Sequence, residues 1–270
     1  MLRLPLIRRW TWARRATAAA FLLALVLGRF DWFSWLKGST SATRLLGLLW
    51  LADPMAVLEI TLATREFMGS LLLAGGVVLL FYALLGRAFC GWVCPLGLVL
   101  DLNDELRERL RKWLGRRRLK LPDYPLPAST KYWLLGLALG LALGVELPVF
   151  QLISPINILA RSVIFEPGSG LLLIAGLLAA EIFSRRAWCR SLCPLGAFYS
   201  LVGCFGLWRV QIDQATETAV PCRLCARSCP MGIPVVDKYI AAGKHSIEAM
   251  ECTRCGVCVE SCPRRTLQMG

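Results

Sequence analysis

Histidine is almost absent from this chain: His245 is the only one among 270 residues. A haem held between two histidines is therefore excluded, and without a CxxCH motif so is covalent c-type haem attachment. Acidic side chains are also few, with 18 Asp and Glu against 31 Lys and Arg and a formal net charge of +13. The excess does not gather in one soluble basic patch. It flanks apolar segments, as membrane insertion selects, which argues against nucleic acid as a partner. Long polar stretches are missing as well. Hydrophobic residues make up 56% of the chain and mean hydropathy is +0.56. That composition points to a polytopic membrane protein.

Four apolar segments are present, at 16–27, 69–85, 132–145 and 170–183, each borrowing its flanks to approach the roughly 20 residues of a crossing. Residues 1–15 carry five Lys or Arg and the loop 86–131 carries ten, whereas 29–68 and 147–169 carry four and one. This asymmetry predicts cytoplasmic N- and C-termini in a bacterial inner membrane. The early "RRATAAAFLLALVLG" is like a secretory signal but has no small-residue cleavage site and precedes further spans, so it reads as an uncleaved first helix. In the middle loop Leu98, Leu102, Leu106 and Leu110 form a stripe, with Asp101, Asp104 and Glu105 early and arginines late. The expectation is a helix lying along the headgroups. "LPDYPLP" at 121–127 links the two halves.

The segment "RAFCGWVCPLG" at 87–97 recurs as "RAWCRSLCPLG" at 186–196, and "LADPMAVL" at 51–58 is echoed by "LISPINIL" at 152–159. The predicted architecture is all-α over 1–205, with four transmembrane helices in two parallel repeats (about 16–97 and 130–196). A small α+β ferredoxin-like domain follows over 206–270. Two parallel repeats place Cys90, Cys94, Cys189 and Cys193 on one membrane face. Pro95 and Pro194 disfavour helical geometry at Cys94 and Cys193, so each helix is expected to end there. Three readings stay open for these four thiols: a metal or additional iron–sulfur site, disulfides or redox dithiols, or helix-packing residues. Glu181, in the fourth apolar segment, is either a functional carboxylate such as a proton acceptor from quinol, or the partner of Arg185 at i+4; the ion pair is favoured.

The tail carries the most specific chemistry. Cys252, Cys255, Cys258 and Cys262-Pro263 follow the C-x2-C-x2-C-x3-C-P run of bacterial ferredoxins, whose fourth cysteine reaches the other cluster. The partner run, Cys222-x2-Cys225-x3-Cys229-Pro230, has Ala219 where a first cysteine belongs. Crossed ligation assigns Cys229, Cys252, Cys255 and Cys258 to one complete 4Fe-4S cluster. It leaves Cys222, Cys225 and Cys262 one ligand short. Either Cys204 completes that site, or it holds a 3Fe-4S cluster or takes a non-thiolate ligand; alternatively Cys204 is a buried small apolar residue.

Four spans, two Cx3CP motifs, the ferredoxin tail, "YALLGRAFCGWVCPL" and the Asp-Pro segment before the second span together resemble the NapH-type ferredoxin-like membrane proteins over nearly the whole chain. The resemblance implies an electron-transfer subunit of quinol dehydrogenase type. It would take electrons from membrane quinol and pass them through iron–sulfur centres to a periplasmic ferredoxin-type protein or c-type cytochrome. Related members include the methylamine-utilisation ferredoxin-type protein, the nitrous-oxide reductase regulator and cytochrome-oxidase assembly factors. Ala219 departs from the nitrate-reductase pattern, and no residue identifies the terminal enzyme. The competing class is an assembly or redox-sensing iron–sulfur protein, with a structural zinc protein third.

Overall fold

The computed structural model describes residues 9–29, 36–38, 42–45, 49–117, 126–164, 170–213 and 222–270. The chain packs as two compact units. One comprises 18–81 and 94–198; the other comprises 1–17, 82–93 and 199–270.

A similar order of helices occurs twice along the chain, with a three-stranded sheet in the first passage where the second has a short helix. The first passage runs through α1 (Arg9–Arg29), a small antiparallel sheet of β1 (Leu36–Gly38), β2 (Ala42–Leu45) and β3 (Leu49–Ala52), α2 (Pro54–Thr64), α3 (Gly69–Leu85), α4 (Ala88–Trp92) and α5 (Pro95–Arg116). The second runs through α6 (Thr130–Val145), α7 (Val149–Ile153), α8 (Pro155–Ile164), α9 (Gly170–Phe183), a π-helical turn at Trp188–Leu192 and α10 (Pro194–Val202). In each passage two helices start on a proline at their first position, after Asp53 and Cys94, then after Ser154 and Cys193. All four of these residues are extended, with ψ between 110° and 122°. The proline ring bars αR from the residue before it and supplies a helix-ready φ after it. The cysteine motifs therefore break and restart the helix, as their prolines predict.

Four transmembrane spans are not found. Among the described residues no helix is long and apolar enough to cross a membrane. The 17 residues of α3 extend about 25 Å at 1.5 Å per residue, short of the roughly 30 Å hydrocarbon layer. With 16 and 14 residues, α6 and α9 are shorter still. The 21-residue α1 begins at Arg9 and carries Arg14 and Arg15 in its first two turns. The C-terminal flanks do not lengthen α3 or α6. Gly86 turns left-handed (φ 70°) after α3, and Glu146 does the same (φ 58°) after α6. The expected four-helix membrane architecture and multi-pass inner-membrane placement are corrected accordingly.

In the unit of 18–81 and 94–198, α2 lies against α6 and α5 against α8 and α9. Gly75 of α3 faces Val57, where an added Cβ would come within 2.9 Å of a methyl group. The leucine stripe of α5 is not what this unit buries. Leu102 and Leu106 are 54% and 56% exposed, while Leu100, Asp101 and Arg107 are buried. Polar bonds decide the orientation: Asn103 donates to the Leu178 carbonyl (3.1 Å), Arg107 to that of Ile182 (2.8 Å), and Arg186 binds both Asp101 and Asp104. The Glu181–Arg185 pair is likewise replaced. Arg185 lies 3.7 Å from Asp104, and Glu181 accepts the backbone N–H groups of Ala187 (2.9 Å) and Trp188 (2.7 Å).

The other unit has its own core of Val210, Ile212, Met231, Ile233, Val235, Tyr239, Ile247 and Leu267, with Cys225, Cys258 and Cys262 built into it. Around it lie a 3-10 turn (Gly203–Phe205), β4 (Val210–Ile212), α11 (Leu224–Ser228), a π-helical turn (Val236–Ile240), α12 (Val257–Ser261) and β5 (Leu267–Met269). The strands β4 and β5 pair antiparallel in the register Val210↔Met269 and Ile212↔Leu267.

Candidate iron–sulfur site

Two matching turns build the tail site. Each places a cysteine, a left-handed residue and a five-residue helix in order: Cys222, Arg223 (φ 45°) and α11, then Cys255, Gly256 (φ 72°) and α12. Each helix ends on an extended cysteine before proline, Cys229 and Cys262. The left-handed turn reverses the chain so that the cysteines of a CxxC pair face one centre, and the extended Cys-Pro sends the last cysteine away from it.

Cys229, Cys252, Cys255 and Cys258 line one cavity, closed by apolar side chains including Val210, Ile233 and Val235. These four thiols also lie within electrostatic reach of one another: Cys258 feels Cys255, Cys252 and Cys229. Burial, chiefly, pushes the Cys252 thiol up to about 12, and raises those of Cys229 and Cys258. Backbone groups of Ile233, Met231 and Gly232 hydrogen-bond to Cys229 and oppose that rise. Cys225 instead lies in reach of Cys262 and Cys222, and burial raises its thiol too. The Cys262 sulfur sits 2.9 Å from the Thr266 hydroxyl. Cys222 is exposed.

This arrangement fits the donor set of iron–sulfur clusters: soft thiolates around an apolar-lined cavity, with backbone groups hydrogen-bonded to sulfur. Among the described residues no three or more His, Cys, Asp or Glu side chains converge closely enough to hold a single metal ion. A cubane does not ask for that convergence, because each thiolate binds a different iron.

Cys204 lies on the 3-10 turn, half-buried, with its carbonyl bound by Arg209 at 3.0 Å. Position 219 lies outside the described residues. Of the Cx3CP thiols, Cys94 and Cys193 are buried, and Cys189 lies in electrostatic reach of both. Cys189 is half-buried as a residue, yet its thiol is enclosed enough for burial to push it well up. The Cys193 sulfur accepts the Gly196 N–H at 3.3 Å. Cys90, on α4, belongs to the other unit and is half-buried.

Sequence reasoning missed what holds the cluster loop. Arg87, almost fully buried, pairs with Glu251 at 2.8 Å; Trp92 donates to the Arg254 carbonyl at 3.1 Å; Thr11 binds Glu260 through both N–H and hydroxyl. The recurrence of Arg87 as Arg186 was the available signal, but it does not name the partner.

Comparison with known proteins agrees with this geometry. A family model described as a 4Fe-4S binding domain matches 67–122 and 167–211, once over each copy of the Cx3CP motif. A 4Fe-4S dicluster domain model matches 210–263. The methylamine utilization ferredoxin-type protein MauN of Paracoccus denitrificans is 33% identical over 90% of this chain and 84% of its own length. The ferredoxin-type protein NapH of Escherichia coli is 32% identical over 94% and 86%. This chain belongs to the MauN/NapH family of ferredoxin-type proteins. NapH of Haemophilus influenzae is 30% identical over 96% of the chain. No solved structure matches. As a family member the chain is a ferredoxin-type 4Fe-4S electron-transfer protein.

Proposed function

We propose that this ferredoxin-type chain carries electrons through two clusters in its tail, one held by Cys229, Cys252, Cys255 and Cys258 and the other by Cys222, Cys225 and Cys262. The observation that carries the reading is the division of the seven tail cysteines into two groups, with Cys229 and Cys262 each crossing to the opposite motif. That crossing is the signature of two-cluster ferredoxins. Bound clusters would supply one-electron redox chemistry; the chain's part is to supply thiolates, exclude water and set the local charge. The second group, with three thiolates, takes either a 3Fe-4S cluster or a fourth ligand, for which Cys204 is a candidate. The NapH-type resemblance adds a quinol as electron donor and a ferredoxin-type protein or c-type cytochrome as acceptor. The Cx3CP cysteines Cys94, Cys189 and Cys193, all of one unit, are a candidate third site, supported by the 4Fe-4S binding model that matches both copies of the motif.

Anaerobic purification with iron and sulfide analysis and EPR tests the assignment. Roughly eight irons per chain fit two cubanes, about seven a three-iron site, and about twelve a third cluster. Protein without iron or sulfide overturns it. Adding a quinol analogue to oxidised, loaded protein tests the donor: bleaching and an EPR signal of reduced clusters are expected, and no reduction removes quinol from the reading.

A further inference from the structure

The two copies of the Cx3CP motif have different partners. In the first, Arg87 reaches the cluster loop: its Nη1 lies 2.8 Å from the Glu251 carboxylate and 3.5 Å from the Glu251 carbonyl, on the peptide that leads into Cys252. Gly91 lies so close to the loop that an added Cβ would sit 2.6 Å from the Thr253 carbonyl oxygen. Trp92 bonds the Arg254 carbonyl. Gly86 leaves room for the Arg254 guanidinium, which donates to the carbonyls of Leu85, Gly203 and Gly206. Glu251, Thr253 and Arg254 are thus held in register around Cys252. In the second copy the matching positions are Arg185, Arg190 and Ser191 in place of Gly86, Gly91 and Trp92. Its arginine, Arg186, binds Asp101 and Asp104. The second copy has neither the two glycines nor the indole that receive the loop.

We propose that the first Cx3CP copy is a clamp on the cluster loop, and that its Arg87–Glu251 pair sets the reduction potential of the cluster at Cys229, Cys252, Cys255 and Cys258. The proposal rests on the two-cluster assignment above. Reduction adds one negative charge to the cluster, so a nearby cation favours the reduced form and a nearby anion opposes it. Both charges lie beside the Cys252 peptide, and the arginine is shielded from water, so solvent screens its field weakly. An arginine stays protonated when its partner is removed. Arg87 and Glu251 are positioning residues, acting through the environment of Cys252 and not on the transferred electron itself.

EPR-monitored redox titration of the loaded full chain tests this, with the cluster at Cys222, Cys225 and Cys262 as internal reference. Glu251→Gln is expected to raise the midpoint of the Cys252 cluster, and Arg87→Met to lower it, each with the reference cluster in place. A merely structural pair would shift both variants in the same direction, or move neither midpoint; either result overturns the clamp, as does an equal shift in both clusters. If Arg87→Met fails to load iron, the near-isosteric Glu251→Gln decides alone: a rise in one cluster supports the proposal, and anything else sinks it. Wild-type protein without cluster signals overturns the two-cluster assignment and the clamp with it. Wild-type signals with unshifted variants overturn the clamp only.

Discussion

At the scale of single residues, the cysteines do unequal work. Cys229 sits in the motif that opens with Cys222 but faces the cavity of Cys252, Cys255 and Cys258. Cys229→Ala is therefore expected to lose the signal of that cluster while the Cys222–Cys225–Cys262 signal persists; loss of the other signal alone would reverse the crossed assignment. Spacing is what suggests this pairing, because the prolines at 230 and 263 mark which cysteine leaves each turn. Glu181 was not legible. Its sequence neighbour at i+4 is an arginine, yet chain reversal at Arg186 (φ 51°) brings two backbone N–H groups to the carboxylate first. Burial, and then the charge of Asp104, raises Glu181 from 4.5 to about 7. A raised carboxyl binds more protons folded than unfolded, so its stabilising contribution is full below pH 4.5 and is lost as pH rises towards 7. The loss is on the order of 3 kcal/mol. In Glu181→Gln, that slope in denaturant-derived stability between pH 4.5 and 7 should flatten. An unchanged slope would assign the titration to another group.

Elements show where pattern and packing part company. Helix starts were readable: Pro54, Pro95, Pro155 and Pro194 each open a helix, for reasons local to the proline ring. The residues that α5 packs its polar face against were not legible from its own sequence. Arg186, Leu178 and Ile182 lie 75 or more positions away in sequence, and their bonds to Asp101, Asn103 and Arg107 turn the polar face inward. Such bonds hold that face in place, since a buried charge left unpaired is costly. Arg186→Met should therefore destabilise the unit by about 3–5 kcal/mol, leaving the Asp101 carboxylate buried without its cation. The double variant Arg186→Met with Asp101→Asn should recover part of that loss. A single variant costing under about 1 kcal/mol in urea unfolding would show that the network is not stabilising.

For the whole molecule, apolar runs suggested crossings because hydropathy counts residues without knowing where a helix stops. The left-handed turns at Gly86 and Glu146 stop α3 and α6, and no sum over composition contains them. The duplicated motif, by contrast, is visible in the sequence, at 87–97 and 186–196. The two compact units follow neither the repeat nor the motif boundaries, since 82–93 falls in the unit of the tail and 94–198 in the other. This division has an energetic consequence. The core around Val210, Ile212 and Leu267 incorporates Cys225, Cys258 and Cys262, whereas the buried residues of α2, α5, α6 and α8 form a core without the tail cysteines. Thiolate–iron bonds of the two tail clusters, made only in the folded state, add their binding free energy to folding of the first core. Calorimetry of loaded protein should then show two transitions, and iron extraction should move or abolish the one belonging to 199–270. The helical signal of the other transition should hold its midpoint. Equal displacement of both transitions would show that iron stabilises the two units together, and displacement of neither would separate the clusters from the fold.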